Sequence, residues 1–319
     1  MDKGVAFSII IPHYNVPDLL MRCLESIPVS EDIQVIVVDD NSPAADTYLE
    51  KYPELSRQNL EFIRAPKNGG AGYARNIGLN HAKGKWILFA DADDFFVENM
   101  YDLISSYKDS GADVIYFKNK VVLSEDTSIS ADRSSYVNRI IDQYLNDGDE
   151  WPLRYKMYGP WCKMIKRSLF VKHNIRFDEI RCFEDNYCSL LIGYHAETIQ
   201  VVNTVLYVIT YRPDSLTECF GFKPSGLKIR AEVTFKVDKF LFQHHICRER
   251  SVVDCLLQML SCDRSLFRYY FFKLDEIYPS KLAALRDISK GKSLRFRVKL
   301  YGYALFVWMR SRLKAAMRV

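Results

Sequence analysis

The stretch Trp86–Phe96 has the sequence Trp-Ile-Leu-Phe-Ala-Asp-Ala-Asp-Asp-Phe-Phe, in which an apolar run leads directly into three carboxylates. Trp86–Ala90 is apolar throughout and lacks alternation, so it predicts a strand buried on both faces. Asp91 and Asp93 are two residues apart and face the same way in an extended segment. Two convergent carboxylates suit a divalent cation with oxygen ligands, which would hold a diphosphate and neutralise it as it leaves. A second interpretation is that Asp91–Asp94 only caps the next helix, because Asp is a favoured N-cap residue.

On both sides of this stretch the chain alternates strands with helices. Five strands are predicted, at Phe7–Pro12, Ile33–Val38, Leu60–Ile63, Trp86–Ala90 and Asp113–Phe117. Helices are predicted to begin at Pro17, to cover Ala44–Leu55, to follow Gly72 and to cover Glu98–Ser110. Further helices are predicted over Tyr136–Leu145, Arg167–His173 and Tyr187–His195, and a β-rich run over Ile199–Tyr211. This alternation predicts an α/β fold with a mostly parallel sheet and helices on both faces, followed by helices alone after Ser225.

Polar clusters follow four of these strands and predict a binding crevice. They are Asn15, Asp39–Asp40, the Asn68–Arg75 segment and Asp91–Asp94. The carboxyl ends of parallel strands share one edge of the sheet, so these clusters are expected to converge there. The Gly-rich turn Asn68–Gly72 would let the backbone approach an anionic ligand at a helix start, although an ordinary turn before a helix explains it equally. Its glycine spacing excludes a dinucleotide fingerprint, and no Walker motif is present.

Composition limits the classes of protein to consider. The chain has 319 residues, 48% of them hydrophobic and 26% charged, which is ordinary for a large globular domain with an appendage. Its 8 cysteines form no Cys-x-x-Cys pair, so zinc is not indicated. The N-terminus runs almost directly into a core-like strand, which predicts no secretory signal, and hence free thiols in a reducing cytoplasm.

Five blocks occur in order along the chain: Ser8–Asn15, Val37–Ser42, Asn68–Asn76, Phe89–Asp94 and Glu184–Asp185. In this order and spacing they resemble glycosyltransferase family 2, an inverting family with the Rossmann-like GT-A fold. The resemblance covers roughly residues 6–215. It implies a GT-A domain over residues 1–220, with a nucleotide-sugar half to about residue 117 and an acceptor half over about 118–220, and a helical region over 221–319.

The resemblance also implies roles for individual residues. Asp40, with Asp39, would contact the base of the nucleotide-sugar donor in a pocket lined by Pro12 and Tyr14. Arg75 would contact the diphosphate or the base. The Asp91-Ala92-Asp93 segment matches the family's Asp-x-Asp motif, which binds the donor and Mn²⁺ or Mg²⁺, with Asp93 favoured as the direct ligand. The predicted donor set is completed by Asn15, Asn68 and Gly69.

Asp185, with Glu184 beside it, matches the family's general base. The alternative is an acidic pair in the first turn of a helix, which the helix dipole would stabilise. Cys182 and Phe183 precede this pair where the family commonly has a small residue, so the alignment of the base is less constrained than that of the metal motif.

Two further predictions concern the acceptor and the closing of the site. Trp161 and Lys163 would form an acceptor platform, since aromatic faces stack on sugar rings, while a Trp buried in the core is the alternative. Tyr211, Arg212 and Ser215 would close over the diphosphate, and the alternative is a simple turn at the end of a strand.

The C-terminal segment is strongly basic. After Asp287 there are nine bases and no acids, whereas the preceding chain has 35 bases and 40 acids. The apolar run Leu300–Met309 is about half the roughly 20 residues that a membrane-spanning helix needs. We therefore predict a basic amphipathic helix on the anionic inner face of the cytoplasmic membrane, with a helix packed on the body as the alternative. Nucleic acid is not a predicted partner, because the body is acidic.

Taken together, these features predict metal-dependent, inverting transfer of a sugar from a nucleotide-sugar to a glycan or lipid-linked acceptor in surface-polysaccharide assembly. A UDP-sugar is the expected donor, and a guanosine donor stays open. A catalytically inactive sugar-nucleotide-binding scaffold is one rival. A sugar-1-phosphate nucleotidyltransferase is disfavoured because His13–Pro17 replaces the Gly-rich, Arg-containing loop expected after its first strand. The apolar helices after Ser225 also allow a homo-oligomer.

Overall fold

The computed structural model of the chain describes residues 4–131, 135–212 and 223–316. The chain divides into two compact units, residues 1–215 and 216–319. The boundary that we predicted at residue 220 falls outside the described residues, so it stays a prediction. The seven cysteines within the described residues are free thiols.

The described part of the first unit contains eight strands and eight helices. The strands are β1 (Phe7–His13), β2 (Ile33–Asp39), β3 (Leu60–Arg64), β4 (Trp86–Phe89), β5 (Phe95–Phe96), β6 (Val114–Leu123), β7 (Lys163–Lys166) and β8 (Ile199–Tyr211). The helices are α1 (Pro17–Glu25), α2 (Ala45–Lys51), α3 (Gly70–His81), α4 (Met100–Ser105), α5 (Ser135–Asp147), α6 (Glu150–Lys156), α7 (Arg167–Lys172) and α8 (Glu184–His195).

All eight strands form one sheet in the order β3-β2-β1-β4-β7-β6-β8-β5. The first four strands pair in parallel, as predicted. Beyond β4 the sheet is mixed, because β7 runs antiparallel to both of its neighbours and β5 runs antiparallel to β8, while β6 and β8 are parallel. The α/β class is therefore confirmed, with a mixed second half. Strand β7 was not predicted from the sequence, since a four-residue strand with a lysine at each end shows no clear apolar pattern.

Two predicted helices are shorter than expected. The helix predicted over Ala44–Leu55 ends at Lys51, because Pro53 disfavours a helical conformation for the residue before it, and a 3₁₀ turn follows over Pro53–Ser56. The helix predicted over Glu98–Ser110 covers only Met100–Ser105. The serine and aspartate residues beyond it favour turns, since their side chains compete for backbone hydrogen bonds.

The core of the first unit is built on β1, whose seven residues are all buried. Trp86 at the start of β4 is also buried, and its Nε1 donates a hydrogen bond to the Lys108 carbonyl at 2.8 Å. Truncating a core side chain such as Ile10 to Ala would cost about 2–5 kcal/mol. The central strands thus form a rigid platform for the loops at their carboxyl ends.

The second unit is helical in its described residues. It contains α9 (Leu227–Gln243), α10 (Val252–Cys262), α11 (Arg264–Lys273), α12 (Lys281–Ile288) and α13 (Leu294–Ala316). Its own core includes Leu256, Phe267, Tyr270 and Leu300. Among the described residues, none of the helices combines the length and the apolarity needed to cross a bilayer.

Candidate active site

The candidate site lies at the carboxyl ends of β1, β2 and β4, which are neighbours in the sheet. Backbone hydrogen bonds continue the pairing just past the strands. Asp40 N donates to the His13 carbonyl at 2.7 Å, and Ala90 N donates to the Ile10 carbonyl at 3.1 Å. The residues after each strand therefore emerge along one edge, as the topology predicts.

Asp39 is fully enclosed and is held by protein donors. Its Oδ1 accepts a hydrogen bond from Ser42 N at 2.7 Å, and its Oδ2 lies 2.8 Å from His13 Nδ1. Val16 N donates to His13 Nε2, so the imidazole proton is on Nδ1 and is donated to Asp39. Burial alone would raise the pKa of Asp39, but the hydrogen bonds from His13 and Ser42 outweigh it and lower the pKa. Asp39 thus supports the loop, and its share in contacting the donor base stays a prediction.

Asp40 holds the Gly-rich turn. Its two carboxylate oxygens accept hydrogen bonds from Gly69 N at 2.8 Å and Gly70 N at 2.7 Å. Burial raises the pKa of Asp40, and these two N–H donors partly offset the rise. Gly70 has φ +85°, a conformation that suits glycine. Gly72 lies in the first turn of α3, where the absence of a Cβ leaves room for the Asp178 carbonyl, so the start of this helix packs closely against another part of the fold.

The other predicted donor residues surround this loop. Pro12 is buried at the end of β1, whereas Tyr14 is 49% exposed and Asn68 is exposed. Asn15 has φ 54°, and its backbone N donates to Ser42 Oγ at 2.8 Å.

Residues Asp91–Asp94, called the acid turn below, are fastened to β8. Asp91 N donates to Tyr207 Oη at 2.8 Å, Thr210 N donates to Asp94 Oδ1 at 2.7 Å, and Thr210 Oγ1 donates to the Asp93 carbonyl at 2.6 Å. Burial raises the pKa of Asp93 and of Asp94, and the neighbouring carboxylates of the turn raise both further. Ala92, which separates Asp91 from Asp93 in the sequence, is buried. The acid turn therefore concentrates negative charge, which favours a cation.

Arg212, immediately after β8, already pairs with this charge. Its Nη2 lies 2.5 Å from Asp93 Oδ2, and the pair partly offsets the raised pKa of Asp93. Tyr211 ends β8, and its carbonyl accepts a hydrogen bond from Ser124 N. Ser215, predicted to act with these two residues, lies outside the described residues.

Arg75 joins two predicted carboxylate sites through one buried guanidinium. Nη2 lies 2.6 Å from Asp91 Oδ1 and Nη1 lies 2.7 Å from Glu184 Oε1, while the guanidinium lies over the Phe177 ring at 5.3 Å. Burial would lower the pKa of Arg75, but Asp91 and Glu184 outweigh it and raise the pKa. Both Nη atoms of Arg75 are thus engaged by carboxylates, and the contact with the diphosphate or the base stays a prediction.

Glu184 and Asp185 form the first turn of α8, which begins three residues earlier than predicted. Phe183 before them has φ 64°, a left-handed conformation that a small residue adopts more easily. Burial, followed by the charge of Glu184, raises the pKa of Asp185 to about 7, while Arg75 acts in the opposite direction. A carboxyl with such a pKa can take up or release a proton near neutral pH.

The two predicted acceptor residues are placed differently from each other. Trp161 is half-buried and stacks on Tyr207, with the ring centroids 6.2 Å apart, so it is one side chain removed from the acid turn. Lys163 is only 2% exposed, and its Nζ donates to the Met157 carbonyl at 2.5 Å. Burial lowers the pKa of Lys163 to about 8, and the nearby charge of Asp185 partly offsets this. Lys163 therefore packs inside the fold instead of at an acceptor surface.

Four side chains that build this region were not predicted from the sequence: His13, Arg22, Tyr207 and Thr210. Tyr207 and Thr210 lie within the predicted β-rich run, but only the pairing of β8 beside the acid turn gives them a role. Arg22 gave no local signal, because a single arginine on an amphipathic helix is ordinarily a solvated residue.

A family model described as "Glycosyl transferase family 2" matches residues 8–173, about half of the chain. The chain is 30% identical over 237 residues to the "Uncharacterized glycosyltransferase EpsJ" of Bacillus subtilis, covering 68% of this chain and 64% of that protein. It is 37% identical over 112 residues to the "Minor teichoic acid biosynthesis protein GgaB" of the same organism, covering 32% of this chain and 12% of that protein. The chain thus spans less than two thirds of these relatives.

Among solved structures, the fold is similar to that of S. aureus TarS 1–349 in complex with UDP-GlcNAc. The TM-score is 0.63 at 20% identity, and the similarity covers 95% of this chain and 88% of that one. This similarity confirms the expected GT-A fold.

Proposed function

The chain belongs to glycosyltransferase family 2, and we propose that it transfers a sugar from a nucleotide-sugar donor to a hydroxyl of a glycan or lipid-linked acceptor, with inversion. The UDP-GlcNAc bound to TarS supports a uridine donor, and a guanosine donor is the alternative. The name of GgaB supports a role in the assembly of a bacterial surface polymer.

The observation that carries this proposal is the Arg75 bridge. Asp91 would bind the donor side and Glu184 adjoins the proposed base, and one guanidinium holds both carboxylates at 2.6–2.7 Å. These residues are separated by much of the first unit in sequence. A bridge between them supports a single site in which a donor and an acceptor meet, because reacting groups must be held close together.

Asp185 is the proposed general base. Its carboxylate would take the proton of the acceptor hydroxyl while the new glycosidic bond forms and the bond from the sugar to the diphosphate breaks. The nucleoside diphosphate then leaves with the electron pair. Attack from the face opposite the leaving group inverts the anomeric carbon, and one base is sufficient because no covalent intermediate is formed. The raised pKa of Asp185, about 7, suits this role.

The donor set of the acid turn fits Mn²⁺ or Mg²⁺. Asp93, with Asp91, would supply one or two carboxylates, as is usual for ions that also bind substrate phosphates. Within the described residues no group of three or more potential ligands among His, Cys, Asp and Glu was found. The diphosphate and water would therefore complete the coordination. When bound, the ion would stabilise the negative charge of the leaving diphosphate.

The test is calorimetric titration with a panel of UDP- and GDP-sugars, with and without Mn²⁺. We expect one donor to bind in a metal-dependent manner to the wild-type protein and not to Asp93→Asn. The matched control is Asp109→Asn, which removes the same charge from an exposed position. Metal-independent binding that survives Asp93→Asn would show that the acid turn only caps a helix. Donor binding without release of nucleoside diphosphate would favour the alternative of a catalytically inactive, sugar-nucleotide-binding scaffold.

We also propose that α13 attaches the protein to the inner face of the cytoplasmic membrane, where lipid-linked acceptors occur. One face of α13 exposes Val298, Leu305 and Met309, which are 64%, 57% and 51% accessible and follow helical spacing. Arg295 and Lys299 are exposed beside them. An apolar stripe flanked by bases is typical of helices that lie in an anionic bilayer interface.

Flotation with vesicles of phosphatidylglycerol or phosphatidylcholine tests this attachment. The triple variant Val298→Ser, Leu305→Ser, Met309→Ser should no longer float with the anionic vesicles. The control is the triple variant Tyr269→Ser, Phe272→Ser, Leu282→Ser, which changes exposed apolar residues of the same unit and should float like the wild type. Equal flotation of both variants would exclude this face as the anchor.

A further inference from the structure

Arg22, in the last turn of α1, reaches the acid turn from outside it. Nη2 donates to the Asp93 carbonyl at 2.6 Å, and Nη1 donates to the Ser124 carbonyl at 3.0 Å. Its guanidinium also lies over the Phe95 ring, 5.5 Å from the centroid. One side chain thus fastens α1 to the acid turn and to the end of β6.

The Asp93 carbonyl that Arg22 holds also accepts the bond from Thr210 Oγ1. Two donors on one carbonyl fix the peptide plane after Asp93, and so restrict the direction in which the Asp93 side chain leaves the backbone. The two hydrogen bonds hold this conformation against the electrostatic repulsion among Asp91, Asp93 and Asp94. Arg22 also brings a positive charge next to this turn.

We propose that Arg22 is a positioning residue for Asp93. By binding the Asp93 carbonyl, Arg22 holds the acid turn in the conformation that binds the metal ion. This inference rests on the proposed function, since it concerns the same metal site. Arg22 acts on the backbone of Asp93 and needs no contact with a ligand. Residues that orient a metal ligand typically contribute about 10–100-fold to metal affinity.

A purely structural role is the competing explanation, and the chain offers a matched control for it. Arg57 is likewise half-buried and donates to two carbonyls, those of Leu24 and Ile27, at 2.8 and 3.0 Å. Both arginines therefore fasten the C-terminal part of α1, but only Arg22 contacts the acid turn. Removing either arginine should lower the stability of the fold, whereas only the removal of Arg22 should lower the affinity for the metal ion.

The experiment compares wild type, Arg22→Ala and Arg57→Ala. Free Mn²⁺ is measured by electron paramagnetic resonance in the presence of UDP and, separately, of GDP, and stability is measured by urea unfolding. Arg22→Ala should weaken Mn²⁺ binding about 10–100-fold, and Arg57→Ala should leave it within about twofold. Added guanidinium ion, at concentrations that do not unfold the protein, should restore Mn²⁺ binding to Arg22→Ala.

Equal Mn²⁺ affinity in Arg22→Ala and Arg57→Ala would overturn the inference and leave the proposed function standing. Absence of Mn²⁺ binding in the wild type would overturn the proposed metal site and this inference together. If Arg22→Ala does not fold, Arg22→Lys replaces it, because an ammonium cannot serve both carbonyls with the geometry of a guanidinium. Unchanged Mn²⁺ affinity in a folded Arg22→Lys would likewise contradict the inference.

Discussion

Asp39–Asp40 and the acid turn both follow buried parallel strands, but their carboxylates have different surroundings. Asp39 and Asp40 accept hydrogen bonds from His13 and from the backbone of Ser42, Gly69 and Gly70. In the acid turn the carboxylates crowd one another, and the pKa values of Asp93 and Asp94 are raised by burial and by that crowding. Both groups have protein partners, but Asp39 and Asp40 accept hydrogen bonds from fixed donors that maintain a loop, whereas Asp91 and Asp93 pair with the arginines at positions 75 and 212. Crowded acids that already attract cationic side chains are suited to an external cation.

The largest expected effect is the loss of activity on replacing Asp185. Its pKa is raised by burial, as are the pKa values of Asp93 and Asp94 in the acid turn. Because its pKa is about 7, the base form is lost as the pH falls, so kcat/KM should drop about tenfold per unit below that value and level off above it. Asp185→Asn should lower kcat by about 10²–10⁴-fold. The measurement is a pH–rate profile of nucleoside diphosphate release. A profile that is flat from pH 5.5 to 8.5 would exclude Asp185 as the base.

The next effect is a difference in the free energy of unfolding between variants of Asp39 and variants of the acid turn. Asp39→Asn should lower the free energy of unfolding by about 3 kcal/mol, because it weakens buried hydrogen bonds to a charged acceptor. Asp93→Asn removes the ion pair with the partly exposed Arg212 but also relieves repulsion from Asp91, so it should destabilise the protein less than Asp39→Asn does. Urea unfolding of both variants measures the difference. Equal losses of stability would remove the distinction between Asp39–Asp40 and the acid turn.

The smallest effect tests how β8 holds the acid turn. Thr210→Val keeps the shape of the side chain but removes the hydrogen bond to the Asp93 carbonyl, and should cost about 1 kcal/mol of stability. Mn²⁺ affinity should fall severalfold, less than in Arg22→Ala. An unchanged affinity would mean that this bond does not help to hold Asp93.

The features that the sequence predicted depend on local patterns, whereas the features that it missed depend on partners far along the chain. Alternation of apolar runs and turns predicted the first four strands and their parallel pairing, since these depend on local periodicity and short connections. The mixed second half escaped prediction because β7 is only four residues long and its pairing is set by distant strands. The burial of Lys163 and the pairing of Arg75 were missed for a related reason, as each depends on partners far along the chain.

The sequence by itself determined that acids, glycines and an arginine would follow buried strands and meet at one edge of a sheet. It also determined the family, through five blocks in fixed order. Only the tertiary structure decided which acids accept hydrogen bonds within a loop and which are crowded together and pair with arginines, and that Arg22, Tyr207 and Thr210 hold the acid turn. Side-chain identity sets what a group can bond to, but the neighbours that desolvate it or donate to it come from segments that only the folded chain brings together.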